Sequence, residues 1–334
     1  MTSPLDYLPR LLRRALIEDD GVFEAELLPG GYLALDTTRG IERPSERYGS
    51  EPDTDRLDLH QATLFLNAAA DTCQQVFNPH RPELHAFLPD GPGIRVTAAR
   101  PPFSPELVIN LRKLPTRVFP LEGDAEGYLE RGIVTAAQLA AIREAILDHR
   151  SILVLGTMGS GKTTFLNAIL REISRLDPDR KVAVLEDTPE LLVESWRHVR
   201  LRPHEGRPTL EAILPSTYRY SVQSAVVNEV RGPEAAHVLS LWGSGHKGAL
   251  TFHADAPGIA LRRFDALCRA HFRGSQHVRI ADAIDLVLVI RRTAPRAWRV
   301  VEAAWLRESP APDDYRFDPI SSEQQPQETP SIDV

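Results

Sequence analysis

A glycine-rich stretch at residues 151–164, SILVLGTMGSGKTT, constrains the fold of this chain more than any other segment. It begins with an apolar, β-branched run typical of a buried strand and passes through a glycine-rich turn into a helical pattern from Phe165 to Leu170. The spacing is G-x-x-x-x-G-K-T, which in a strand–turn–helix context is the Walker A phosphate-binding loop. The chain is therefore predicted to bind a nucleoside triphosphate.

The residue types of this loop match the chemistry of a triphosphate. Glycine lets backbone N–H groups approach the phosphates without a Cβ clash, and the start of the following helix adds positive potential. We expect Lys162 to reach the β- and γ-phosphates and the Thr163 hydroxyl to bind Mg²⁺. Lysine is otherwise rare, with four among 39 basic residues, which favours a phosphate contact here. The predicted nucleotide-binding residues of the loop are Gly156, Thr157, Met158, Gly159, Ser160, Gly161, Lys162, Thr163 and Thr164.

The composition indicates two domains without a disulfide framework. A length of 334 residues and 42% hydrophobic content allow substantial cores. Cys73 and Cys268 are the only cysteines, which favours a reducing cytosol. No apolar run approaches the roughly 18–20 residues that span a membrane, and the N-terminus lacks the apolar core of a secretory signal. We expect a soluble cytoplasmic protein.

The charge balance bears on the partner class. The formal net charge is −7, whereas a protein that grips a phosphate backbone usually carries a basic surface. Direct binding of nucleic acid is therefore not expected, although a channel lined locally by arginines stays open as an alternative.

Residues 1–118 are predicted to form a smaller α+β N-terminal domain. Residues 5–18 place leucines on one face of an amphipathic helix, which either packs on its own domain or docks on a membrane surface or partner. The later elements are two short strands, a polar loop, a helix and a three-strand meander, at 22–28, 31–36, 36–56, 60–77, 83–88, 94–98 and 107–111.

The second half of the chain alternates short apolar runs with helical patterns, which is typical of an α/β fold with a mainly parallel sheet covered on both faces. A linker at 119–134 precedes this domain, which spans 135–308, and Thr135 is a good N-cap for its first helix. Residues 309–334 are rich in Pro, Ser, Gln and Asp and are predicted to be disordered. Besides the strand before the Walker loop, the predicted strands are 182–186, 224–228, 249–252, 284–290 and 300–305.

Acidic and histidine side chains stand where three of these strands end. Ligands bind at the carboxyl ends of the strands in such sheets, so Glu186, Glu229 and His253 are expected near the phosphates. One carboxylate would hold Mg²⁺ through water, and another would orient or polarise the attacking water. His253 would contact the γ-phosphate, and His246 is a further candidate. Each has a purely structural alternative: acids cap helices or pair with arginines, and histidines are often satisfied within a core.

Four motifs in this order carry a family resemblance. The Walker stretch is followed by LEDTPEL at 185–191, NEVRGPEA at 228–235 and SGHKGALTFHAD at 244–255, and it is preceded by a basic, proline-containing segment at 93–113. The set resembles the secretion traffic ATPases, and most of all the conjugal-transfer (TrbB-like) branch of the type IV secretion ATPases. The resemblance covers roughly residues 80–300 and reads these stretches as an Asp box, a Walker B motif and a His box.

The resemblance implies a RecA-like P-loop ATPase that uses ATP and Mg²⁺. It implies a hexameric ring in the cytoplasm, peripheral at the inner membrane, whose partners are inner-membrane components of a secretion, conjugation or pilus apparatus. By the same resemblance, Arg95 and Arg112 are nucleotide-binding residues that the N-terminal domain contributes, within a subunit or across an interface. Arg231 would serve in the ring or pair with a neighbouring acid.

Three departures from the family pattern distinguish this chain. Asn228 replaces the glycine before the Walker B glutamate, an "RxRPD" pattern is reduced to RYSVQ at 219–223, and Met158 replaces a usual threonine. The leading hypothesis is an ATP-hydrolysing motor. The alternatives are an ATP-binding assembly protein that barely hydrolyses, and a nucleic-acid motor on the same core.

Overall fold

The computed structural model describes residues 3–49, 55–203, 209–294, 297–309 and 314–321. The chain divides into two compact units, residues 1–116 and 117–334, each with its own apolar core. Among the described residues, no helix combines the length and apolar character that crossing a membrane requires.

The first unit is built on a six-stranded antiparallel sheet with the order β3-β2-β1-β6-β5-β4. The sheet includes the predicted meander of β4, β5 and β6, and its helices pack their leucines into one core with it. The elements are α1 Arg10–Arg13, β1 Val22–Leu27, β2 Leu33–Thr37, β3 Gly40–Glu42, α2 Pro44–Tyr48, α3 Leu59–Thr72, β4 Glu83–Leu88, β5 Ile94–Ala99 and β6 Val108–Lys113.

The amphipathic segment at 5–18 is not one helix, because three short helical pieces replace the predicted continuous one. Pro9 has no N–H to donate and disfavours a helical conformation at the residue before it, and Leu8 is accordingly extended with φ −64° and ψ 122°. The apolar face is nevertheless as expected: Leu12 and Leu16 are buried in the core of the first unit. The segment therefore packs on its own domain.

The predicted polar loop at 36–56 contains short regular elements. Strand β3 pairs with β2, and α2 begins at Pro44, where a proline suits the first turn of a helix. Residues 50–54 of this predicted loop lie outside the described residues.

The second unit contains an eight-stranded sheet with the order β14-β13-β12-β7-β11-β10-β8-β9. Strands β9, β8, β10, β11, β7 and β12 run parallel, and β13 and β14 extend the sheet in antiparallel fashion, which confirms the predicted α/β class. The elements are α4 Ala136–Leu147, β7 Ile152–Gly156, α5 Lys162–Leu176, β8 Val182–Leu185, β9 His198–Leu201, α6 Leu210–Ile213, β10 Ser224–Val230, α7 Glu234–Gly243, β11 Ala249–His253, α8 Pro257–Cys268, α9 His277–Ala283, β12 Leu286–Ala294, β13 Ala297–Glu308 and β14 Tyr315–Pro319.

Helices cover both faces of this sheet. On β7, Leu153 faces the core that contains Trp242 and helices α7, α8 and α9, whereas Ile152 faces the core that contains Phe165 and helices α4 and α5. All five residues of β7 are buried, as expected for a central parallel strand. The loop that follows β7 is therefore held by a rigid support.

The segment at 119–134, predicted as a linker, packs against the second unit. The buried ring of Tyr128 stacks on Phe165 with 5.0 Å between the ring centroids, and Leu121 and Ile133 are also buried. The prolines and glycines of this segment suggested a linker, but the apolar residues between them complete a core.

Two strands at the edges of the second sheet were not predicted. Strand β9 is half-exposed and short, and β14 forms within the tail that was predicted to be disordered at 309–334. Tyr315 and Phe317 of β14 pack against the apolar core, which explains why a polar sequence is ordered there. Residues 310–313 and 322–334 of the predicted tail lie outside the described residues.

Candidate functional site

The Walker stretch forms the strand, turn and helix that the sequence predicts. Strand β7 ends at Gly156, and α5 begins at Lys162. Gly159 and Gly161 have φ angles of 70° and 85°, a left-handed conformation that residues with a Cβ rarely adopt. Lys162 Nζ donates a hydrogen bond of 3.0 Å to the Thr157 carbonyl, so the lysine lies over the turn.

The neighbouring strands fix the shape of this turn. A Cβ at Gly156 would lie 2.6 Å from the carbonyl oxygen of Ile290 in β12, so only glycine fits there. Trp298 of β13 donates a hydrogen bond of 3.5 Å to the Gly159 carbonyl, and its ring would contact a Cβ at Gly161 at 3.4 Å. The turn is therefore preorganised by protein contacts.

The same turn offers donors to an anion. The first turn of a helix carries N–H groups without intrahelical acceptors and a partial positive charge, and α5 presents both at the end of the turn. Thr163 and Thr164 are half-buried beside Lys162, whereas Met158 is 87% exposed and points away from the core. The donor set fits a phosphate group, and the Thr163 hydroxyl fits the oxygen preference of Mg²⁺.

Glu186 directly follows β8 and is completely buried. The Leu191 N–H donates to Glu186 Oε2 at 2.9 Å, and Arg200 of β9 lies 2.9 Å from Oε1. Burial raises the pKa of Glu186 to about 7, although the Leu191 N–H and the Arg200 charge act in the opposite direction. The carboxylate is held from both sides by protein groups.

Glu229 lies near the end of β10 in a different environment. Its side chain is 25% exposed, and Arg231 donates a hydrogen bond of 2.5 Å to Oε2. A β-bulge at Asn228 shifts the register, so that Glu229 pairs with Thr251 of β11. The bulge re-aims the side chains at this end of the strand.

The strand registers bring three predicted strand ends to one edge of the sheet. Leu185 of β8 is level with Val227 of β10, and His253 of β11 is level with Gly156 of β7. Because all four strands run parallel, Glu186, Glu229 and His253 follow at the same edge as the Walker turn. His253 is exposed there, and a cavity of about 250 Å³ opens beside it.

His246 is not brought to this edge. It precedes β11, and its carbonyl accepts a hydrogen bond of 3.2 Å from Ala225 N at the start of β10. It therefore lies at the amino ends of the parallel strands, opposite the Walker turn. Its ring contacts Ser244 and packs edge-on against Tyr218, which is a structural environment.

Asn167 holds the acidic loop, residues 187–194, which follows Glu186. The sequence analysis did not identify Asn167 as part of the site. Its Nδ2 donates to the Glu190 carbonyl at 3.0 Å, and its Oδ1 accepts from Leu192 N at 2.8 Å. Asn167 is 1% exposed on α5, among apolar neighbours. A buried amide on the apolar face of the Walker helix was the available signal.

The loop also contacts β10. Asn228 Nδ2 lies 3.4 Å from Glu190 Oε2, a long hydrogen bond, and the buried Asn228 Oδ1 has no hydrogen-bond partner among the described residues. Desolvation raises the pKa of Asp187, at the start of the loop, above its ordinary value. The nearby Glu229 adds to this shift, and Arg231 acts in the opposite direction. The departure from glycine at 228 therefore adds a contact between two acidic segments.

Arg95 and Arg112 belong to the first unit, where they are level with each other on β5 and β6. Arg112 lies 3.9 Å from Glu24 of β1. The pairing of the two residues and the Arg112–Glu24 contact both lie within the first unit. The expected role of Arg95 and Arg112 at the nucleotide stays a prediction.

Comparison with known proteins gives the chain a wider context. Residues 78–318 match the sequence model of a family described as "Type II/IV secretion system protein". The probable conjugal transfer protein TrbB of Sinorhizobium fredii is 30% identical over 303 residues, which cover 87% of this chain and 88% of that protein. The conjugal transfer protein TrbB of Rhizobium radiobacter is 32% identical over 297 residues, covering 85% and 87%.

Solved structures share the fold. The X-ray structure of the Legionella pneumophila ATPase DotB is similar with a TM-score of 0.61 at 19% identity, covering 92% of this chain and 82% of that one. The similarity extends over both units of the chain.

Proposed function

The chain belongs to the type II/IV secretion system protein family, and we propose that it is a Mg²⁺-dependent ATPase that powers a type IV secretion or conjugation machine, or a related pilus or type II machine. One observation carries the proposal: the Walker turn and Glu229 share one edge of a parallel sheet, where nucleotide-hydrolysing folds place their ligands. The names of the conjugal transfer relatives support the choice of machine.

In this proposal the Walker turn binds and orients ATP. The backbone N–H groups at the start of α5 and the Lys162 ammonium hold the β- and γ-phosphates. The turn is fixed by Trp298 and β12, so little ordering is needed when the phosphates bind. His253, at the same edge, contacts the γ-phosphate.

The site suits Mg²⁺ through oxygen ligands, with the Thr163 hydroxyl and water-mediated contacts from Glu229. A Mg²⁺ ion held by these residues would supply positive charge against the phosphate oxygens. Glu186 contributes to the ion site only through the loop that it anchors, because its side chain is completely buried. The Leu191 N–H donates to Oε2, and Arg200 faces Oε1 at 2.9 Å as an ion pair without a hydrogen bond.

Glu229 is the residue that orients and polarises the attacking water. Its carboxylate is partly exposed at the edge, so a water molecule can reach it, whereas Glu186 is completely buried. Glu186 is then a positioning residue, since it fixes the acidic loop next to Glu229. By the family resemblance, Arg95 and Arg112 would supply positive charge against the charge that develops on the phosphate, within a subunit or across a subunit interface.

The working assembly in this proposal is a homo-oligomeric, hexameric ring in the cytoplasm, held at the cytoplasmic face of the inner membrane by components of the machine. Hydrolysis would then depend on subunit concentration. Turnover should rise with the oligomer fraction measured by light scattering.

The decisive experiment compares Lys162→Ala with Lys181→Ala. Both remove a lysine from the second unit, but Lys181 directly precedes β8 and donates a hydrogen bond to the Tyr220 carbonyl. We expect Lys162→Ala to lose MgATP turnover by roughly 100-fold or more, since a phosphate clamp is lost, and Lys181→Ala to keep it. Equal turnover in both variants and wild type would refute the assignment of the site.

Two observations favour a second candidate function, an ATP-binding assembly protein that barely hydrolyses. Arg231 pairs directly with Glu229, and Asn228 replaces the usual glycine beside it. If Arg231 stays on Glu229 in the complex, the carboxylate is a poorer base. Tight ATP binding by a purified oligomer without turnover would select this candidate.

A further inference from the structure

Three side chains that could bind a metal ion meet in the helical layer of α6, α7 and α8, on the opposite face of the sheet from α5. They are Glu211 of α6, His237 of α7 and His271 in the turn after α8. One potential ligand atom from each lies within 4.8 Å of the other two. In the described part of the chain, no other group of three His, Cys, Asp or Glu side chains is this close.

The three residues come from separate elements that pack together. Helices α6 and α8 both contact α7. The Thr209 side chain caps α6 through Ala212 N at 3.2 Å, and His271 N donates to the Cys268 carbonyl at 3.0 Å. The backbone that presents the three side chains is therefore fixed, although they are far apart in sequence.

Contacts within the protein do not account for all three side chains. His271 Nε2 lies 2.7 Å from Glu211 Oε1, an ion pair that needs one histidine only. The ring of His237 makes no hydrogen bond to any described residue, and it packs edge-on against His271 with 5.0 Å between the ring centroids. His237 therefore places a second imidazole, with nitrogens free to bind an ion, beside the Glu211–His271 pair. This is the arrangement that an ion bound by all three side chains would require.

The donor set selects the class of ion. Two imidazole nitrogens and one carboxylate oxygen suit borderline divalent transition metals, zinc above all, whereas Mg²⁺ and Ca²⁺ prefer oxygen ligands alone. Zinc–ligand bonds of about 2.0–2.2 Å in a tetrahedral site place neighbouring ligand atoms about 3.3 Å apart. The observed separations reach that value by small rotations of side chains that are partly exposed.

We propose that Glu211, His237 and His271 form a zinc site with an open fourth position for water. The ion joins α6, α7 and the turn after α8, and so braces the helical layer that covers one face of the sheet. Helix α7 follows the strand that carries Glu229 after a three-residue connection, Arg231 to Pro233. None of the three ligands belongs to the nucleotide site, so the proposal stands independently of ATP hydrolysis.

The test uses the full chain, stripped with a chelator and titrated with Zn²⁺ alone, with bound metal counted by mass spectrometry. We expect one Zn²⁺ per chain with roughly micromolar affinity or tighter, and a rise in the unfolding temperature on binding. His271→Ala and His237→Gln should each weaken Zn²⁺ binding by more than roughly 100-fold. Mutation of a residue that only hydrogen-bonds to a metal ligand already lowers metal affinity about 10–100-fold, and these two residues are ligands themselves. Both variants should also abolish the rise in unfolding temperature.

His149→Ala is the matched control. His149 lies 4.0 Å from Asp177 in the same unit but has no second histidine beside it, so its variant should bind Zn²⁺ as the wild type does. Co²⁺ provides a second readout, because visible absorption typical of tetrahedral nitrogen and oxygen coordination should appear in wild type and be lost in His271→Ala. Absence of stoichiometric Zn²⁺ binding up to about 100 µM, or unchanged binding in the His237→Gln/His271→Ala double variant, would overturn the proposal.

Discussion

The two carboxylates at the ends of the neighbouring strands β8 and β10, Glu186 and Glu229, look equivalent in sequence and differ in the fold. Glu186 is fully enclosed, bound by a backbone N–H and by Arg200, and burial raises its pKa to about 7. Glu229 is a quarter exposed and is bound by Arg231, whose own side chain is 69% exposed. One carboxylate is built into the protein and the other is presented at the surface.

A position at a strand end therefore does not by itself define a catalytic role. A general base must be within hydrogen-bond reach of the water it activates. In the proposed mechanism access favours Glu229 as the base, even though the raised pKa of Glu186 would suit a base at neutral pH.

The largest expected effect is on turnover in Glu229→Gln. The amide keeps the shape of the side chain but cannot accept a proton, so turnover should fall by roughly 10²–10⁴-fold while ATP binding is retained. In Glu186→Gln the decrease should stay within about tenfold, because a positioning role is less sensitive to the lost charge. Steady-state ATPase assays with Glu194→Gln, an exposed carboxylate on the same acidic segment, provide the control. The reverse order of the first two variants would exchange the roles.

The next effect concerns the dependence of stability on pH. The Glu186 pKa is higher in the folded state, at about 7, than its ordinary value of 4.5, so this group stabilises the fold below pH 4.5 and that contribution is lost as pH rises to 7. As pH rises through that window, the free energy of unfolding should decrease in both proteins. The decrease should be about 3 kcal/mol smaller in Glu186→Gln than in wild type, because glutamine does not titrate. Urea unfolding at pH 5 and pH 8 measures the difference, and equal changes in both proteins would contradict the burial of Glu186.

A smaller effect separates the two arginines. Arg200→Ala leaves a buried carboxylate without its cation and should cost about 2 kcal/mol at pH 8, whereas Arg231→Ala removes an exposed pair and should cost less than about 1 kcal/mol. Arg200→Ala in a Glu186→Gln background should be nearly neutral. A cost for Arg200→Ala that persists in that background would assign its effect to another contact, such as its 2.8 Å bond to the Leu191 carbonyl.

The smallest expected effect is that of Asn228→Gly, which restores the residue type usual in the resembling family. The variant loses the long contact to Glu190 but also removes a buried acceptor without a described partner, and these terms oppose each other. We expect a stability change within about 1 kcal/mol and turnover within about threefold of wild type. A tenfold change in either direction would make Asn228 an active member of the site.

The sequence predicted those features that depend on local pattern. The Walker turn, the α/β class and the positions of Glu186, Glu229 and His253 at one edge follow from apolar runs, glycine spacing and the geometry of parallel strands. The break at Pro9 also had a local signal, which the leucine pattern obscured. His246 was misplaced because it precedes its strand and so lies at the amino edge.

Features that depend on distant parts of the chain could not be predicted. Arg200 contacts Glu186 from an edge strand, β9, that is too short and polar to be recognised in the sequence. Strand β14 forms because it pairs with β13 and packs two aromatic side chains on the core. The cluster of Glu211, His237 and His271 has no sequence spacing that would reveal it, since three helices bring it together.

The amide of Asn167 has a consequence for how often the acidic loop opens. Its two hydrogen bonds join the Walker helix to the loop on both sides of one turn. Each contributes about 0.5–1.5 kcal/mol, so the closed loop is favoured over a detached one by about 1–3 kcal/mol, a factor of roughly 5–150. In a population of these molecules, only about one in six at most, and as few as about one in 150, would have released the loop through this contact alone.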